Sequence, residues 1–153
     1  MDPRLLAVRL QVTPTVSTTP AYTAKDAVGG LLTFSNAVRA SGGTGRIEAI
    51  QIVDKGQQRA DLDLVLFDRT FTAPTDNAVF APTDAETLFC VGWIPVGAGN
   101  YADFSTNSVA AINNVGLEFV LNGTDLFGAL VTRGTPTYTS TSDIVVTLTI
   151  LQD

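Results

Sequence analysis

The sequence predicts an all-β domain, and three observations carry that prediction. First, residues 143–151 alternate with a period of two: Ile144, Val146, Leu148 and Ile150 fall on one side of an extended chain and Val145, Thr147 and Thr149 on the other. Second, similar stretches recur along most of the chain, separated by segments rich in Gly, Pro, Thr, Ser and Asn at 13–20, 41–45, 56–58, 72–82, 97–100 and 134–141. Third, no long helical pattern interrupts them. A chain of 153 residues suits one domain, 1–153, and at that size buries roughly 68–70% of the surface its unfolded form exposes without needing a disulfide or metal staple.

The first strand is expected at 4–12, where Arg4 and Arg9 interrupt the apolar run, so the segment reads as a strand and not as a signal peptide. Strands follow at 28–34, 46–54 and 61–69. The Gly-rich loop 41–45 before the third reads as a hairpin loop. Residues 83–86 predict one short helix, with Thr83 capping the first turn, Glu86 reaching back to the Thr83 amide, and Asp84 and Glu86 at the positive end of the helix dipole. The chain returns to strand at 88–96. There the single cysteine, Cys90, lies among Leu88, Phe89, Val91 and Trp93, which predicts a buried thiol and rules out an intrachain disulfide. Residues 101–111 are a candidate ninth strand. Between 115–121 and 124–132 stands Asn122-Gly123, the pair that tolerates the positive φ of a type I′ turn, so these two strands are expected to form a tight hairpin. Asn122-Gly123-Thr124 also matches a glycosylation acceptor, a reading the hairpin displaces in a chain without a secretory signal. The last strand is 143–151. Eight or nine strands make the count of an antiparallel sandwich or barrel.

Composition narrows function by exclusion. The net charge is −6, and nucleic-acid binding, which needs a dense basic patch, is not expected. The charge is uneven: residues 1–69 hold eight of the nine basic side chains against seven acidic ones, a net of +1, whereas 70–153 hold Arg133 against eight acidic ones, a net of −7. That polarity reads first as acidic loops that keep the protein soluble, and alternatively as the mark of a contact side. No run of about 18 apolar residues suggests a membrane span. With no histidine, Ser or Cys lacks its usual imidazole base and zinc its commonest nitrogen ligand, so neither an enzyme nor a metal or other cofactor is expected.

The weaker motifs in the chain have plainer readings. Asp61 and Asp63 share a strand face but Asp68 points the other way, which does not build a glycosidase pair or calcium cage. Asp76, Asp84 and Glu86 form a loose acidic cluster. Residues 41–46 (SGGTGR) lack the Lys-Ser/Thr end of a phosphate-binding loop, and Gly97-Ala98-Gly99 lacks the third glycine of a dinucleotide fingerprint. Phe34, Phe67, Phe71, Phe80, Phe89, Phe119 and Phe127 read as core. Tyr22, Trp93, Tyr101, Phe104 and Tyr138 are candidates for a sugar-stacking face, and Trp93 and Tyr101, flanking a Gly-rich turn, also for a subunit interface, with plain core packing as the first reading.

Residues 22–34 (YTAKDAVGGLLTF), 45–55 (GRIEAIQIVDK), 61–67 (DLDLVLF) and 75–84 (TDNAVFAPTD), with 130–138 (LVTRGTPTY) and 146–153 (VTLTILQD), resemble small structural proteins of tailed bacteriophages, nearest to the capsid cement or decoration proteins. The resemblance implies one jelly-roll-like domain assembled as a homotrimer on the outer capsid surface of the virion, made in the host bacterial cytoplasm and bridging major capsid proteins. Its charge pattern then makes Arg39, Arg46, Lys55 and Arg59, in or beside expected loops, the candidate capsid contacts. A tail-associated or carbohydrate-binding module is the alternative.

Overall fold

A computed structural model describes residues 6–153; Arg4 and Leu5 of the expected first strand lie outside the described residues. Strands β1 (Leu6–Val12), β2 (Leu32–Phe34), β3 (Thr44–Asp54) and β4 (Leu62–Phe67) precede a short helix α1 (Asp84–Thr87). After it come β5 (Cys90–Val96), β6 (Tyr101–Asp103), β7 (Ser108–Val120), β8 (Leu126–Thr132) and β9 (Ile144–Gln152). Sheet 1 has the order β1-β9-β3-β7-β6 and sheet 2 the order β2-β8-β4-β5, with every pairing antiparallel. Apart from the short β6, two four-stranded sheets in which every connection but β4–β5 crosses from one sheet to the other make a jelly roll.

Alternation explains the core between the sheets. Ile144, Val146, Leu148 and Ile150 of β9 point inward and are inaccessible, facing Leu62, Leu64 and Leu66 of β4 and Leu126 and Leu130 of β8 within one cluster. In β3, Ile47, Ile50 and Ile52 are all buried although they do not keep strict parity, because the pairing shifts between Ile47 and Ala49 and Glu48 is the extra residue of a bulge. A second, smaller cluster lies on the outer face of sheet 2. There Phe67, Phe71 and Ala129 are covered by Phe80 and Phe89 from the segment joining β4 to β5, and the Phe67 and Phe71 rings lie 3.9 Å apart.

Several sequence expectations change. Asn122-Gly123 is not a hairpin turn: β7 belongs to sheet 1 and β8 to sheet 2, and neither Asn122 nor Gly123 is among the residues with positive φ. The pair is instead a crossover tied to other loops, since Asn122 N–H donates to Asp68 O (3.1 Å) and Gly42 N–H to Gly123 O (3.1 Å). The 41–45 loop likewise crosses between sheets, from β2 to β3. Cys90 is exposed, because the bulge of β5 against Leu66 and Phe67 puts it on the outer face of a sheet edge. The expected strands 101–111 and 115–121 are redistributed as β6 and a longer β7. The expected helix is present with its capping box: Thr83 N–H donates to Glu86 Oε2 (2.9 Å) and Glu86 N–H to Thr83 Oγ1 (3.2 Å). Hydrogen bonds from the Thr72 side chain, and then from the Thr83 and Thr72 amides, hold the Glu86 carboxyl down at about 2.

Candidate functional site

The four candidate capsid-contact cations divide between the two ends of the sandwich. Arg46 opens β3, and Arg39 lies in the loop leading to it, where Val38 N–H bonds Thr124 O. Lys55 follows the far end of β3, about 30 Å away at 3.3 Å per residue, with Arg59 in the next loop. Arg46 is paired with Glu48 and Arg59 with Asp103 (2.8 Å). The sequence halves do not become spatial halves either. Strands before and after residue 70 alternate in both sheets, β1-β9-β3-β7 and β2-β8-β4-β5, so the charge asymmetry along the chain is spread through the fold.

The acidic residues weighed for chemistry are engaged in holding loops. Asp61 Oδ1 accepts from Ala98 N–H (2.6 Å), Asp63 faces Arg133 (3.2 Å), and Asp68 binds Arg69 (2.7 Å). Burial is the main reason the Asp63 carboxyl is raised above its usual range, with Arg133 opposing. Asp76 accepts from Gly29 N–H (2.6 Å), from the Tyr22 hydroxyl (2.6 Å) and from the Ser17 hydroxyl, which clasps the β1–β2 connection to the β4–β5 connection. Glu86 is occupied by the helix cap and by Thr72 N–H (2.6 Å). Among the described residues no three Cys, Asp or Glu side chains converge on a metal-sized site.

Sequence reasoning missed a buried carboxylate pair near the far end of β3. Asp54, with no accessible surface, accepts from Gly56 N–H (2.9 Å) and Arg59 N–H (2.8 Å); Asp143 accepts from Thr139 N–H (2.8 Å) and Ser140 N–H (3.0 Å). Burial raises the Asp54 carboxyl, and the Asp143 charge adds to the shift. The Tyr138 hydroxyl is buried close by without a hydrogen-bond partner among the described residues and is strongly raised, first by burial and then by the Asp54 charge. Each Asp stands at a strand end, which was legible; that the two ends meet was not.

The aromatic candidates separate. Tyr22 and Tyr138 are core residues in an edge-to-face contact at 5.8 Å, so they cannot stack on a sugar. Trp93 is 58% exposed on β5 and Phe104 is 59% exposed beyond β6, whereas Tyr101 is half-buried and its hydroxyl donates to Ala60 O (3.2 Å). Trp93 and Tyr101 therefore stand on edge strands of opposite sheets. An open groove of about 700 Å³ lies across the strand ends of sheet 1, with Arg46, Glu118 and Asp153 around Val91, Phe119, Val120 and Leu151.

No protein-family model matches the chain, and no curated protein matches it. Among solved structures it is similar to the VP2 subviral particle of infectious bursal disease virus, at a TM-score of 0.47 and 11% identity over 98% of this chain and 33% of that one. It is also similar to the capsid of Ralstonia phage GP4 (0.40, 16% identity, 99% of this chain and 86% of that one) and to the PRD1 vertex protein (0.35, 14% identity, 95% and 94%). The chain spans about a third of the length of the VP2 structure. These similar structures are viral capsid and virion proteins, and at such scores the likeness is one of chain course.

Proposed function

We propose that this chain is a structural virion protein of a tailed phage that cements the outer capsid surface by bridging major capsid proteins. The observation that carries the reading is where the polar and apolar groups end up. The carboxylates that could do chemistry are tied to backbone amides or arginines, while large apolar side chains stand exposed among the surface charges: Leu88 (83% exposed), Leu6, Val79, Trp93, Phe104 and Val120. Such a surface suits contact with other proteins better than turnover of a small molecule. Attachment through Arg39 and Arg46 at one end, or Lys55 and Arg59 at the other, would reach different capsid neighbours. A trimer would add avidity to weak single contacts.

The experiment is to add purified protein to phage shells that lack an outer decoration and to measure co-sedimentation and shell melting. Saturable binding that raises the melting temperature of the shell supports the reading. Absence of binding at any salt concentration, with the protein folded, sinks it.

A further inference from the structure

We propose that sheet 1 continues from one copy of this chain into the next, the free edge of β1 pairing antiparallel with the free edge of β7. The register places Arg9 opposite Glu118. This does not rest on the capsid reading.

Among the described residues both edges are open. β7 pairs with β3 along one side, but on its other side β6 reaches only Ser108 to Ala110. β1 is the last strand at the opposite edge. Edge strands in stable monomers are blunted by Pro, Lys or bulges. β5, one edge of sheet 2, carries both Pro95 and a bulge at Cys90 to Gly92. Neither β1 nor β7 beyond its own irregularity at Asn114 and Gly116 has such protection.

The hydrogen-bonding parity can be read residue by residue. Leu121 N–H donates to Gly43 O (3.0 Å) and Asp153 N–H to Thr44 O (3.3 Å), so Thr44 turns its backbone groups toward β9. Val120, opposite Thr44, and Glu118, opposite Arg46, then turn theirs away from β3, off the sheet. Alternation along β9 sends Gln152, Ile150 and Leu148 toward Leu6, Val8 and Leu10, which leaves the backbone groups of Ala7, Arg9 and Gln11 pointing off the other edge. Since β1, β9, β3 and β7 are successively antiparallel, β1 runs opposite to β7. A neighbour set edge to edge in the same orientation meets it in the antiparallel sense.

The side chains select the register. Arg9 is the only charged residue of β1 and Glu118 the only one of β7, and both are exposed. Arg9 now donates to Gln51 Oε1 (3.2 Å), and Glu118 has no ion pair among the described residues because Arg46 is held by Glu48. With Arg9 opposite Glu118, Ala7 meets Val120 on the outer face. On the inner face Val8 meets Phe119, Leu10 meets Leu117 and Leu6 meets Leu121. Every apolar side chain finds an apolar neighbour, Leu6 and Val120 being 50% and 59% exposed in the single chain. A shift by one residue would set Arg9 against Phe119 or Leu117, with side chains on opposite faces. The contact is heterologous and so builds a ring where its rotation closes.

Light scattering on the purified protein at tens of micromolar tests this. Wild type is expected above monomer mass, Arg9→Glu and Glu118→Arg each near monomer mass, and the double reversal restored. Val120→Pro removes an N–H that points off the sheet, and is expected to give a monomer with unchanged circular dichroism. In a Cys90→Ala background, Ala7→Cys with Val120→Cys should form an intermolecular disulfide on oxidation. A monomeric wild type, single reversals that assemble like wild type, or a double reversal that stays monomeric would overturn the pairing. Shell binding by a monomeric variant would leave the cement reading standing on its own.

Discussion

Asp54 and Asp143 approach each other across Gly56: a side-chain carbon on Gly56 would sit 2.8 Å from Asp143 Oδ2 and 3.5 Å from Asp54 Oδ1. Two carboxylates from the ends of neighbouring strands thus share one buried corner, each holding its own loop by backbone amides.

That corner predicts a pH dependence of definite sign. Burial, with the Asp143 charge, raises the Asp54 carboxyl above its ordinary 3.8, so the folded protein binds this proton more readily than the unfolded chain. The stability it contributes therefore rises as pH falls from neutral through the folded value toward 3.8. Glu86, held at about 2 against 4.5, is ionised in the folded state and largely ionised in the unfolded one above pH 5, so its opposing slope there is small. Urea unfolding at pH 7.5 and pH 5 should show a gain for wild type that shrinks in Asp54→Asn, and subtracting the two removes the similar contribution of Asp63. Parallel pH profiles would refute the assignment.

Gly56→Ala places a methyl group against a buried carboxylate, not the free end of a mobile side chain. Loss of about 1–3 kcal/mol in chemical denaturation is expected, with little change for Gly99→Ala, where a side-chain carbon meets nothing within 4 Å.

The two outermost strands of the sequence should respond unequally. Leu148 in β9 is inaccessible between β1 and β3, whereas β1 is an edge strand with its side chains exposed or half-buried, a departure from the deep burial its apolar sequence suggests. Leu148→Ala should therefore destabilise by about 2–5 kcal/mol, and Leu10→Ala by clearly less. Deleting 144–152 should give insoluble chain, since it removes the strand that joins β1 to β3.

The alternation at 143–151 made β9 legible because it is buried from end to end, and the capping box at Thr83 and Glu86 was legible because it is closed by residues three apart. Which strands share a sheet was not legible. Asn122-Gly123 carries the local signature of a hairpin, yet Leu121 and Asn122 are held by Gly43 and Asp68, residues more than fifty positions earlier. Tertiary hydrogen bonds overrode the turn propensity there. Cys90 shows the same limit: its apolar neighbours describe a strand but do not say that the strand is an edge.

Charge reversal separates the two ends of the sandwich as attachment sites. Arg46 and Arg59 lie at opposite ends and are exposed, so their pairs with Glu48 and Asp103 contribute little to folding, and Arg46→Glu and Arg59→Glu should melt near wild type. If attachment uses one end, a single reversal should weaken co-sedimentation with shells and flatten its salt dependence, while the other leaves both unchanged. If both ends bridge neighbouring capsid proteins, each single reversal should weaken binding and the double reversal should abolish it. Shells that take up the double variant as well as wild type would show that attachment runs through the exposed apolar residues around Trp93 and Leu88 instead.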